Sequence, residues 1–84
     1  MIFMVRLEKI RKNNCRIEAE FYPEDSKVPG FISVDLLKGA IADRTDAPGY
    51  EEDRGRSYVY HAMYRLLSLA EKDNIPEKCT VMWY

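Results

Sequence analysis

Residues 79–84 read CTVMWY, an uncharged run of Cys79, Thr80, Val81, Met82, Trp83 and Tyr84. β-Branched and aromatic side chains favour a pleated, half-buried surface, so the stretch reads as a strand and not as a polar tail. Alternation along a strand sets Cys79, Val81 and Trp83 on one face and Thr80, Met82 and Tyr84 on the other. The fold then depends on which strand this one joins and what covers its two faces.

Immediately upstream the hydrophobic period is helical. Between Arg56 and Lys72, the residues Val59, Ala62, Met63, Leu66, Leu69 and Ala70 recur at three- and four-residue steps. Tyr60, Tyr64 and Leu67 are expected to widen that stripe, with Ser57, His61, Arg65, Ser68 and Lys72 on the polar side. Asn74 suits a left-handed cap, Ile75 can pack back, and Pro76 cannot continue the helix.

The first half alternates with period two. Phe3, Val5 and Leu7 oppose Met4, Arg6 and Glu8, and Cys15, Ile17, Ala19 and Phe21 oppose Arg16, Glu18 and Glu20. A three-residue loop, Lys12-Asn13-Asn14, would pair Leu7 with Ala19 and Val5 with Phe21 and keep both apolar sets on one side. Asn14 would then take the left-handed conformation. Pro23 to Gly30 is a polar connection. It leads to a third strand with Ile32, Val34 and Leu36 on one face and Phe31, Ser33, Asp35 and Leu37 on the other. A tight turn at Lys38-Gly39 would set Leu36 opposite Ile41 in a fourth strand, Ala40 to Arg44. Thr45 to Gly55 reads as a loop, with an early helical turn from Tyr50 to Asp53 as the alternative.

The order β-β-β-β-α-β predicts one α+β domain over residues 1–84, a two-layer sandwich of a mainly antiparallel sheet under one helix. The helix returns the chain to the top of the sheet, so the last strand can descend beside the first. The preferred strand order is 5-1-2-3-4, with pairing beside the third strand as the alternative. Docking on the first strand would hold both ends of the sequence in the sheet.

At 84 residues the chain has a small core to work with. Thirteen Lys and Arg against fourteen Asp and Glu give a net charge of −1, without the basic surplus that phosphate neutralisation demands of a nucleic-acid binder. The apolar start MIFMV lacks the flanks of a secretory signal, and no apolar run is long enough to span a bilayer. A cytoplasmic protein is expected, with Cys15 and Cys79 as buried thiols at no zinc or redox spacing.

Chemistry-bearing patterns are sparse. His61, the single histidine, follows Ser57 by one helical turn, but a triad also needs an orienting acid and an oxyanion hole. No metal set, calcium loop, Walker pattern or dinucleotide fingerprint occurs, so neither metal nor cofactor is expected. Arg44, Arg54 and Arg56 bracket the loop before the helix, interleaved with Glu51, Glu52 and Asp53 that would pair with them. No motif names a family; in size and composition the chain resembles the short reading frames common in bacteria.

The leading expectation is a non-catalytic interaction module that homodimerises or binds a protein partner through its open sheet face and last strand. Ile2, Met4, Tyr22, Phe31, Leu37, Met82 and Tyr84 are the candidate interface residues. A second reading is a small-ligand or anion binder, or an enzyme, with a site at the helix start and the 45–55 loop lined by Arg54, Arg56, Tyr58 and His61. Single-stranded nucleic-acid binding on the tyrosines is the weakest reading, given the charge.

Overall fold

The computed structural model describes residues 2–51 and 57–84. In chain order they form β1 (Phe3–Lys12), β2 (Arg16–Pro23), β3 (Gly30–Asp35), β4 (Ala40–Thr45), α1 (Tyr58–Ala70) and β5 (Cys79–Trp83). The strands make one antiparallel sheet in the order β4-β3-β2-β1-β5. This is the α+β sandwich the sequence implies, with the final strand on the first.

The sheet's inward residues Val5, Leu7, Ile17, Ala19, Phe21, Ile32 and Val34 cluster with Val59, Ala62, Met63, Leu66 and Leu69 of α1, and Val81 of β5 joins them. Removing each large apolar side chain from water is worth roughly 1.5–3 kcal/mol, which is why the helix lies on this face and leaves the charged one open.

The first hairpin keeps the predicted phase but not the predicted register. Leu7 faces Phe21 and Val5 faces Pro23, and the register shifts between Glu8 and Arg11. Lys9 and Ile10 lie opposite the single residue Ala19, with Lys9 at φ 53. This bulge turns Ile10 into the core, where it is 6% exposed, and lengthens β1 to Lys12. The turn moves accordingly to Asn13–Cys15: Asn13 Oδ1 accepts from the amides of Cys15 and Arg16 at 2.8 Å each. Cys15 is therefore exposed, not a buried thiol, and Asn14 is not left-handed.

The second hairpin also differs from expectation. Val34 faces Ile41 and Asp35 faces Ala40, so the loop is Leu36-Leu37-Lys38-Gly39 and not two residues. Asp35 decides this: its Oδ1 accepts from the amides of Leu37 at 2.9 Å and Lys38 at 3.0 Å, and its carbonyl accepts from Gly39 at 2.8 Å. Gly39 closes the loop at φ 63. Ser33, expected on the wet face, is buried, and among the described residues its Oγ has no hydrogen-bond partner. It is a short side chain in a central position of the sheet, between Glu18 of β2 and Asp43 of β4.

α1 holds the whole apolar pattern from Val59 to Ala70 and stops short of Lys72. Ser57 precedes it at φ 60, with no side-chain cap. At the other end the amides of Glu71 and Lys72 reach the carbonyls of Ser68 and Leu69, tightening the last turn, so Asn74 is not the left-handed cap. Tyr60 and Tyr64 are exposed and do not widen the buried stripe.

Candidate interaction surface at the β1–β5 corner

β5 is placed by five register pairs, from Phe3 opposite Trp83 to Leu7 opposite Cys79. Val81 is buried, and Cys79 and Trp83 pack partly against the core, while Thr80, Met82 and Tyr84 point to the open face as their alternation dictates. Met82 keeps 64% of its surface exposed and Tyr84 keeps 91%. Met4 lies directly opposite Met82, and Ile2 and Tyr84 lie one step beyond the Phe3–Trp83 pair. Four of the seven candidate interface residues thus meet at one corner of the sheet.

The other three do not join this surface. Tyr22 stands next to this corner but is covered by Arg6, whose guanidinium sits 4.8 Å from its ring centre. Partial desolvation, then the carboxylates of Glu20 and Glu8, push the Tyr22 hydroxyl above the ordinary tyrosine range. Phe31 is two strands away on β3, opposite Glu20. Leu37 is exposed in the turn at the far end of the sheet. The middle of the open face carries the bridges Lys9–Glu20 at 3.7 Å and Arg11–Glu18 at 4.0 Å, whose cations are exposed and whose carboxylates are half-buried, charges that keep it wet.

A cluster under the same corner fixes β5 from the helix side. Trp83 is stacked on His61, with centroids 3.9 Å apart and planes at 14°, and meets Tyr58 edge-on at 5.6 Å and Phe3 at 6.1 Å. Tyr58 in turn meets Tyr50 edge-on at 5.7 Å. His61 is therefore half-buried against an indole, where a solvated position was expected.

Glu24 completes the arrangement. It sits at φ 50 just past β2, and its Oε2 accepts from Met4 N at 3.0 Å and from Tyr58 Oη at 2.8 Å. Its own amide donates to Met4 O at 2.9 Å. One carboxylate thus ties β1, the β2 end and the first turn of α1 together. Sequence reasoning passed over Glu24 because a carboxylate in a polar connection carries no local sign of what it will reach.

Of the alternative ligand-site residues, Tyr58 is buried on Glu24 and His61 lies on Trp83, while Arg54 and Arg56, like the turn expected through Asp53, fall outside the described residues. Arg44 pairs with Asp46, through Nε at 3.1 Å and Nη2 at 2.6 Å, while Glu52 and Asp53 of the later acidic run fall outside the described residues. An open groove of about 460 Å³ runs beside the start of β5, lined by Arg6, Leu7, Glu8, Lys78, Cys79 and Thr80. Its charges are mixed and no nucleophile–base pair converges in it. Burial pushes the Cys79 thiol up, against the opposing charge of nearby Arg65. Among the described residues, no three His, Cys, Asp or Glu side chains are placed to hold a metal ion, and no helix is long and apolar enough to cross a membrane.

No protein-family model, curated protein or solved structure matches this chain.

Proposed function

We propose that this protein is a non-catalytic, cytoplasmic interaction module that self-associates through the β1–β5 corner of its sheet. The observation that carries the reading is the group Ile2, Met4, Met82 and Tyr84. These are apolar side chains side by side on the face that α1 leaves open, and Ile2, Met82 and Tyr84 are more than half exposed. Contiguous exposed apolar surface of this kind marks an interface more often than scattered single residues do. The aromatic cluster and the Glu24 clamp hold β5 from below, so the surface is presented rigidly and little ordering entropy is spent on association.

Light scattering coupled to size-exclusion chromatography, over a series of loading concentrations, tests this. A mass that rises from one chain toward two is the expected result. A single-chain mass at every concentration, up to millimolar, refutes it.

A further inference from the structure

Resting on that reading of self-association but placing the contact at the strand edge, which leaves Ile2 and Met4 of the open face uncovered, we infer that the second copy docks edge to edge, β5 against β5 in antiparallel register about a two-fold axis at Val81, to make one continuous ten-stranded sheet.

The direction of the main chain supports this. Met4 exchanges its amide and carbonyl with Glu24, so its polar groups face β2. Antiparallel ladders alternate, so Phe3, Val5 and Leu7 face β5 and bond Trp83, Val81 and Cys79. The amides and carbonyls of Thr80 and Met82 are then directed to the free edge of β5. Such a row is a template for another strand unless the protein blunts it.

The two outer edges of the sheet are treated differently. β4 carries Asp43 and Arg44 and an irregularity that sets Ala42 out of register, devices that discourage strand addition. β5 has none of them. From Cys79 to Tyr84 it holds no charge, no proline and no bulge. An uncharged strand can lie antiparallel on its own copy without opposing like charges, which makes a second copy the fitting occupant.

Full overlap of the five-residue strand centres the axis on Val81. Thr80 then faces Met82 of the second copy as a hydrogen-bonded pair on the open side, and Cys79 faces Trp83 of the second copy on the helix side. One step outward, Lys78 meets Tyr84 of the second copy, and Arg65, beside Cys79, comes over that copy's Trp83. Both place a cation against an aromatic ring, so the flanking charges complement the strand. A strand edge this short is small beside the roughly 800 Å² per partner of a standard interface, so the dimer is weak and concentration-dependent.

Cysteine cross-linking in a Cys15→Ser background reads the register directly. Thr80→Cys mixed with Met82→Cys should form a disulfide-linked dimer, because opposed Cα atoms in such a pair lie about 5.5 Å apart, within disulfide reach. Neither variant alone should link comparably. Linking of Met82→Cys alone would mean face-to-face packing or another register and overturns the inference. A wild-type dimer with no link in any mixture overturns edge pairing while leaving self-association standing, and a wild-type monomer removes both. Met82→Pro supplies an independent readout: it deletes an amide directed to the free edge and no β1–β5 bond. It should abolish the dimer with the far-ultraviolet circular dichroism retained; a folded Met82→Pro dimer refutes the pairing.

Discussion

Gly30→Ala tests the packing where β4 closes on the start of β3. Gly30 begins β3 opposite Phe21, and its φ is not positive, so the backbone would accept alanine. On propensity alone the change should help, by about 0.4–1 kcal/mol, through a less flexible unfolded chain. The surroundings give the opposite sign. A Cβ at Gly30 would lie 2.5 Å from Thr45 O, 2.7 Å from Ala47 N and 2.5 Å from Phe21 Cζ. The ring could tilt, but the first two atoms are backbone of the β4 end and the turn after it. Opening those contacts to ordinary separations moves that backbone by several tenths of an ångström, loosening the Phe31–Thr45 pair and the fully buried Ala47. Overpacking of this kind costs about 1–3 kcal/mol, so a net loss near 2 kcal/mol is expected. In a domain of this size that lowers the melting temperature by about 10 °C. Urea unfolding followed by circular dichroism measures it, with Gly39→Ala as the control. Gly39 has nothing within 4 Å of its would-be Cβ but sits at φ 63, so its loss of about 1 kcal/mol comes from backbone alone and should be recovered by Gly39→Asn. If Gly30→Ala is neutral or stabilising, the close approach of β4 to β3 is wrong.

Tyr58→Phe removes the hydroxyl donated to Glu24 and should cost about 1 kcal/mol in urea unfolding; the single tryptophan, edge-on to Tyr58, should report the loosening in its fluorescence. Asp35 is held below the ordinary carboxylate range, first by the Lys38 amide and then by that of Leu37. A depressed folded value means its contribution is complete above the unfolded value of about 3.9 and is lost as pH falls through the lower folded value. Acid titration by NMR should therefore show Asp35 titrating below the free carboxyl, with the Leu37 and Lys38 amide shifts following it. A thiol reagent at pH 8 should modify Cys15 quickly and Cys79 slowly, the two rates converging in denaturant; equal rates in the native protein would place Cys79 in the open. Deleting Val81 to Tyr84 removes one core residue and the Trp83 anchor, so the truncated chain should lose its cooperative unfolding transition.

The element order and strand order were legible because each rests on a repeated signal: period two in the first half, period three to four in the helix, and a closing strand whose direction left the first strand free to receive it. Registers were less legible. A hairpin reading that assumes uninterrupted strands must choose loop length from phase alone, and the Lys9–Ile10 bulge restores phase by another route. In the second hairpin one carboxylate, Asp35, gathers two amides and outweighs the pairing of Leu36 with Ile41. His61 shows the same limit at the surface. It lies beside the helix's buried stripe, and only the position of Trp83 on a strand eighteen or more residues later makes it an aromatic contact. The apolar outward side of β5 was legible because an uncharged strand covered by one helix must show one face. That Arg6 covers Tyr22 and that Phe31 and Leu37 lie apart from it was not, since exposure along a chain says nothing of adjacency across strands.

The clamp beneath β5 and the edge it presents are thermodynamically linked. Among the described residues β5 is paired on one side only, and its packing on α1 runs largely through Val81 and Trp83, with Tyr58 and Glu24 behind the tryptophan. Anything that loosens this corner lowers the fraction of chains whose β5 is ready to pair, and apparent dimer affinity falls by that fraction. A second copy that binds only the ordered strand must, by the same linkage, stabilise the fold. The melting temperature should therefore rise with protein concentration in the wild type. It should stay flat in Met82→Pro, which removes the pairing amide. In Tyr58→Phe it should rise from a lower base, because that substitution weakens the clamp and leaves the edge intact. A melting temperature independent of concentration in a chain shown to be dimeric would mean that association does not require the folded corner, and would separate the corner's stability from its function.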